Sequence, residues 1–323
     1  MRGRSGRPAP PAPRGAAAGT PPVKGILELD RFSAEALDRW RELSADLDEL
    51  QDILYFNVEP ERRRRRPELL RALLETPAEP LQLKNWARIV DYQWTLHPLS
   101  AAGSLTGYGG RFNAGTEIEG KTFDPWPSLY LASDHPTAFR EKFQIEAGQT
   151  VDGLSPEELA LTPGHSHTTV FVNGKLSRVF SLTPANLGPV ARVLAKIRMP
   201  ERAEPIKRKL KIKQNDLRMM TTGKQLYDAA AVHNWRVLPV QFGLPAASQI
   251  LAELIRAADF EAVSYQSSKS GGTCLAVFVD RLVPGSYLEI SGTPPAQAIA
   301  RLDETTAEEL AGWKILGITP PKV

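Results

Sequence analysis

Short β-rich runs punctuate the second half of this 323-residue chain, and helical patterns do not separate them regularly. SLYLAS occupies residues 128–133, TTVFVNG 168–174, RVFSL 178–182, EAVSYQ 261–266, TCLAVFVD 273–280 and SYLEI 286–290. Each is rich in β-branched or aromatic side chains and bounded by turn-forming residues, which predicts a strand. HPTAFREKFQ and LPAASQILAELIRAADF read as helices, as does the stretch through YDAAAVHNW. A doubly wound parallel sheet needs a helix between successive strands, and strict alternation is missing here. The pattern therefore predicts an α+β fold, a mixed sheet core with helices.

The first part of the chain has a different period. In SAEALDRWRELSADLDELQDIL, apolar residues fall at Leu37, Trp40, Leu43, Leu47, Leu50 and Leu54, in steps of three and four. One face of an amphipathic helix follows, with Ser33 as its N-cap. PELLRALLE and LQLKNWARIVDYQW predict two more helices, with Pro67 suited to a first turn. The expected organisation is a disordered Pro/Gly/Ala-rich tail over 1–24, a mainly helical region over 25–97, a mixed domain over 98–290 and a C-terminal extension over 291–323.

Composition removes several function classes. Lys and Arg number 40 against 37 Asp and Glu, a net charge of +3, so nucleic-acid binding would need a local patch. ERRRRRPE (61–68) and IKRKLKIK (206–213) are the two basic runs, and neither is interleaved with stacking aromatics. Both read more simply as solvated faces or an interdomain loop. The single cysteine, Cys274, lies in an apolar run and can form no internal disulfide, which fits a reducing cytoplasm. No apolar run is long enough for a membrane span, so no membrane association is expected. His165 and His167 lack the companions a metal site needs, and no metal is expected. The glycines at 107, 109 and 110 match neither a dinucleotide fingerprint nor a phosphate-binding loop with its lysine.

One constellation survives. GYGGRFNAGT places Arg111 in a glycine-rich turn, where a guanidinium fork beside backbone N–H groups can hold a diphosphate. Downstream come Tyr130 in a strand, Asp134 and Pro136 opening a helix, Glu141 on that helix, and Ser267 with Ser268 at a later strand end. Element ends are where sites are built. Taken singly, each has a plainer reading: Arg111 paired with Glu117 or Glu119, Tyr130 in the core, Glu141 in solvent, Ser267 in a turn. Their order and company favour a site.

Gly109-Gly110-Arg111-Phe112-Asn113, Tyr130-Leu131-Ala132, Ala138 to Glu141 and Tyr265-Gln266-Ser267 resemble, in that order, the hallmarks of the RES domain, a family named for its arginine, glutamate and serine. The resemblance covers approximately residues 98–290. The gap from Glu141 to Ser267 exceeds the family's usual spacing, which marks the basic stretch 190–232 as a candidate insertion. The helical N-terminal region has no counterpart in that family.

The resemblance implies a fold similar to ADP-ribosyltransferases, with NAD as substrate and no prosthetic group. It implies catalytic roles for Glu141, Arg111, Tyr130 and Ser267. Contacts to NAD are expected from Arg111, Asn113, Tyr130, Tyr265, Ser267 and Lys269, with Lys121 a further candidate. Glu141 would hold the ribose hydroxyls and stabilise an oxocarbenium-like transition state. Tyr130 would offer a flat face and an orienting hydroxyl, while Ser267 would bond a phosphate, the nicotinamide amide or Glu141. The implied activity is cleavage of the nicotinamide–ribose bond, as a glycohydrolase or phosphorylase, by a cytoplasmic toxin that depletes NAD. The implied partner is an Xre-type helix-turn-helix antitoxin. Two alternatives stand beside it: an ADP-ribosyltransferase modifying a protein or nucleic acid, and a non-catalytic interaction protein acting through its N-terminal helices.

Overall fold

Two long antiparallel strands, β1 (Glu79–Asp91) and β5 (His167–Ser181), run side by side from Glu79↔Val179 to Asp91↔His167. The computed structural model describes residues 34–91, 94–119, 123–145, 167–213, 217–294 and 296–320. The tail 1–24, Ser33, Lys121 and His165 lie outside the described residues.

β1 corrects the helix expected over LQLKNWARIVDYQW. Its buried Leu83 and Trp86 are three apart, a helical step, because the register shifts between them and Asn85 adopts φ 52°. An extra residue at a bulge resets which face a strand buries, and a period of two then imitates a longer one. Asn173 holds the bulge, its Oδ1 accepting from Asn85 N at 2.8 Å. The central sheet thus includes residues that the sequence suggested were helical.

β5 corrects a second expectation, since TTVFVNG and RVFSL are one continuous strand. Gly174 marks no turn there. A Cβ at that position would collide with Tyr287 O and Leu288, so the glycine admits a neighbouring strand at close range.

The remaining strands are β2 (Gly109–Gly110), β3 (Asn113–Ala114), β4 (Ser128–Ala132), β6 (Ala262–Gln266), β7 (Thr273–Phe278), β8 (Tyr287–Ile290) and β9 (Arg301–Leu302). β2 and β3 pair as a small hairpin. The main sheet has the order β1-β4-β7-β6-β5-β8-β9, and the extra pairing of β5 with β1 closes its first five strands into a ring. β5 and β6 are parallel at Val179↔Ala262, and the other pairings of this sheet are antiparallel. From Cys274 to Phe278 β7 is apolar because both its faces are covered. Cys274, Ala276 and Phe278 join one buried cluster, and Leu275 and Val277 the other.

Helices α1 (Ala34–Arg64) and α2 (Arg66–Leu74) form the helical N-terminal segment, with Pro67 in the first turn of α2 as expected. α3 (Ala102–Leu105) precedes the hairpin, and α4 (His135–Phe143) follows β4. Asp134 caps α4 by accepting from Thr137 N at 2.8 Å, with Pro136 in the first turn. Then come α5 (Gly188–Leu194), α6 (Ala203–Lys209), α7 (Gly223–Tyr227), a π-turn over Asp228–Val232, α8 (Val237–Phe242) and α9 (Ala247–Ala257). The fold is α+β, a mixed sheet core with helices preceded by a helical segment.

The arginine run is neutralised within the chain, and the run on α6 in part. Arg62 and Arg63 bond Glu59, Arg64 bonds Glu61, Arg65 bonds Glu68, and Arg66 grips Glu253 of α9 through two nitrogens at 2.6 and 2.7 Å. On α6, Lys207 is buried against Glu204, and Lys209 reaches Asp46 of α1 at 2.7 Å. Among the described residues, no helix is long and apolar enough to cross a membrane.

Candidate active site

The β2–β3 hairpin explains why glycines surround Arg111. Gly109 sits at φ 80°, which a side chain would strain. At Gly110 a Cβ would overlap the Tyr130 hydroxyl and Asn113 Oδ1. That hydroxyl accepts from Phe112 N and donates to Asn113 Oδ1, both at 2.9 Å, and Asn113 Oδ1 also accepts from Gly110 N at 2.9 Å. The Asn113 amide nitrogen donates to Ser104 O at 2.6 Å. From the opposite side, buried Gln249 of α9 donates to the carbonyls of Tyr108, Gly110 and Asn113 at 2.8, 3.1 and 2.9 Å. The turn is locked on both sides, and Arg111 projects from it.

Gly110→Ala should therefore destabilise the fold by about 2 kcal/mol, the range of a small-to-large change in a packed site. Urea denaturation reads this directly, and a loss below about 0.5 kcal/mol would mean that the hairpin adapts freely.

Arg111 Nη1 donates to Ala230 O and His233 O, both at 3.1 Å, so it does not form the surface pair with Glu117 or Glu119. Burial pushes the Tyr130 phenol pKa up, opposed by the Phe112 N–H and by Arg111. The hydroxyl is thus a neutral donor and not a base.

Arg88 holds the strand that carries Tyr130. Its guanidinium donates to Pro98 O and Ser100 O at 2.8 Å each and to Tyr130 O at 3.2 Å. Burial lowers its pKa to about 10, against the opposing pull of Asp91.

Glu141 projects from α4 and meets Ser267 at the end of β6. Ser267 Oγ donates to Glu141 Oε1 at 2.5 Å and accepts from Lys269 N and Ser270 N at 3.1 and 3.2 Å. Ser270 Oγ in turn bonds Thr137 Oγ1 at 2.9 Å, tying this loop to α4. Ser267 is 4 % exposed, so its hydroxyl serves the carboxylate rather than solvent.

These elements enclose a cleft of about 370 Å³, within the size range of small-molecule sites. Arg111, Tyr130, Glu141 and Tyr265 line it together. The Tyr265 ring packs on Phe112 at 4.6 Å, and burial drives its hydroxyl pKa upward. Cys274 lies beside it with its thiol pKa raised by burial, which makes it a poor nucleophile. Ser267 stands behind Glu141, outside the lining. Lys269 and the fully buried Asn113 are also outside it, and Asn113 shapes the arginine turn instead. Sequence reasoning missed Arg88, Gln249, Trp235 and Arg236, the first and the last two of which line the cleft. A lone glutamine on the apolar face of α9 was the available signal for Gln249. Arg88 was hidden by the helix reading of its strand.

A guanidinium, a carboxylate and two phenols lining one cleft can together bind an anion and stabilise a developing cation. The RES domain family model matches residues 85–289 and so takes in every one of the motif residues from Gly109 to Ser267. The chain belongs to the RES domain family. The match begins inside β1, so the RES domain takes in most of the strand whose bulge disguises it. No curated protein matches the chain. Among solved structures it is similar to a chain of the Mycobacterium tuberculosis MbcT–MbcA toxin–antitoxin complex. The two are 14 % identical, with 76 % of this chain and 97 % of the other covered at a TM-score of 0.41.

Proposed function

We propose that this RES domain binds NAD in the Arg111–Glu141 cleft and breaks its nicotinamide–ribose bond. The carrying observation is that Arg111, Tyr130 and Glu141 line one cavity, with Ser267 bonded to the carboxylate. Arg111 leaves its two carbonyl acceptors for a phosphate oxygen, a stronger, charge-assisted partner. The bond from ribose C1′ to the pyridinium nitrogen breaks, and its electron pair leaves with neutral nicotinamide. No general acid is needed for that departure. The ribose becomes oxocarbenium-like, and Glu141, oriented by Ser267, stabilises the charge. Water or phosphate then adds its oxygen to C1′, and water gives up a proton to the medium.

Depletion of NAD in this way is the action of a toxin, and the same proposal includes an Xre-type antitoxin as the partner that restrains it. Transfer to a macromolecule is less favoured, because two of the five cations of the basic run, Lys207 and Lys209, are already paired with acids. The test is to incubate the purified protein with NAD, with and without phosphate, and to follow nicotinamide and the ribose product. Free ADP-ribose or its 1-phosphate is expected. Label on a macromolecule alone, or no nicotinamide release, would overturn the proposal.

A further inference from the structure

Arg111 is not the cleft's only unneutralised guanidinium. Arg236 lines the same cavity, and neither arginine has a carboxylate partner among the described residues. Arg111 donates only to the carbonyls of Ala230 and His233, and Arg236 Nη1 donates to the neutral Gln144 Oε1 at 3.2 Å. Arg88, on the same cleft wall, is satisfied by three carbonyls with Asp91 near it. Lys142, on the same cleft wall, meets Asp91 at 2.8 Å, and the arginines at 62–66 all meet acids.

Two cations lining one cleft repel each other unless a counter-charge binds between them. The strain shows on Arg236, whose pKa is lowered first by desolvation and then by Arg111, with Glu141 opposing. Its orientation is fixed as well, since the guanidinium lies over the Trp235 ring at 4.9 Å. The segment carrying this pair follows the π-turn and its C-cap, whose Ala230 and His233 carbonyls hold Arg111, so one stretch of chain addresses both arginines.

We propose that Arg236, positioned by Trp235, is a second phosphate-binding residue, and that Arg111 and Arg236 together clamp the two phosphates of a diphosphate. This rests on the NAD reading above and adds a selectivity to it: the cleft should favour a dinucleotide over nicotinamide mononucleotide, which has one phosphate. Trp235 is a positioning residue, acting through the plane of the guanidinium.

Turnover of both substrates by wild type, Arg236→Ala and Arg236→Lys tests the assignment. For Arg236→Ala, KM for NAD should rise about tenfold with kcat nearly unchanged, the loss of one charge-assisted bond. Turnover of the mononucleotide should stay within about twofold, since Arg111 supplies its phosphate contact. Arg236→Lys should recover only part of the loss, because a point charge lacks the guanidinium fork. An equal fall for both substrates, or no change for either, overturns the clamp. Titration with inorganic pyrophosphate and with orthophosphate gives a separate readout even if wild type cleaves neither nucleotide, an outcome that would count against the NAD reading alone. Wild type should bind pyrophosphate at least about tenfold more tightly than orthophosphate, and Arg236→Ala should erase the difference. Equal pyrophosphate affinity in wild type and variant overturns the clamp.

Discussion

Replacing Glu141 with glutamine is expected to slow NAD turnover about a thousandfold while leaving the folded state intact. Two unit charges 4 Å apart interact by about 4 kcal/mol at an effective dielectric of about 20, which suits this half-buried side chain. That energy corresponds to about three powers of ten in rate. Glutamine keeps the size of the side chain and an oxygen to accept from Ser267, so what the substitution removes is charge. The loss should appear in kcat, because the interaction grows as the ribose becomes cationic. Ser267→Ala should cost far less, on the order of tenfold, since it frees the carboxylate to wander without discharging it. Nicotinamide release at saturating NAD, beside a thermal melt, measures both. Turnover by Glu141→Gln within tenfold of wild type would remove this carboxylate from the reaction.

The largest expected effect on stability lies away from the cleft, at Glu261. This residue is fully buried immediately before β6, and its oxygens accept from Ser177 N, Arg178 N and Val283 N at 2.7, 2.8 and 2.9 Å. Its carboxylate thereby joins β5 and β6 to the turn that leads into β8. In Glu261→Ala, Ser177 N keeps a second acceptor in Ser286 Oγ, but Arg178 N and Val283 N lose their side-chain partner in a buried setting. At about 1–3 kcal/mol for each unsatisfied group, a loss of about 3 kcal/mol or more is expected. The urea midpoint should fall accordingly. The folded fraction should retain its turnover, because Tyr265 and Ser267 lie at the far end of the same strand. A loss under about 1 kcal/mol would mean that water reaches the vacated space and satisfies both donors.

What the sequence discloses and what it hides follow from where each signal originates. Short β-branched and aromatic runs bounded by turn residues gave away β4, β6, β7 and β8, and the Asp134–Pro136 signal gave away α4. The α+β class followed from the order of those elements alone. β1 stayed hidden because its bulge at Asn85 turns a two-residue period into a three-residue step. β5 was split in two because Gly174 reads as punctuation, when it answers a constraint imposed by Leu288 more than a hundred residues away in sequence.

The same distinction holds for the cleft. Arg111, Tyr130 and Glu141 could be found because their ordered motifs have a recognisable company. The division of labour among their neighbours could not. Asn113 differs from a ligand-binding asparagine only through its burial beneath the turn, and Ser267 turns to Glu141 only because a loop tied to Thr137 holds it there. Trp235 and Arg236 carry no pattern, and their importance arises from a charge placed near them by residue 111.

The closing of β5 onto β1 also bears on how this protein behaves in a crowded cell. An open sheet ends in unpaired N–H and C=O groups that can template association with other chains. Here β5 is paired on both sides, β1 meets β4 at Ala87↔Ala132, and the last strand of the sheet, β9, is two residues long and headed by Arg301. So short and charged a terminal strand offers little foothold for strand addition at that end of the sheet.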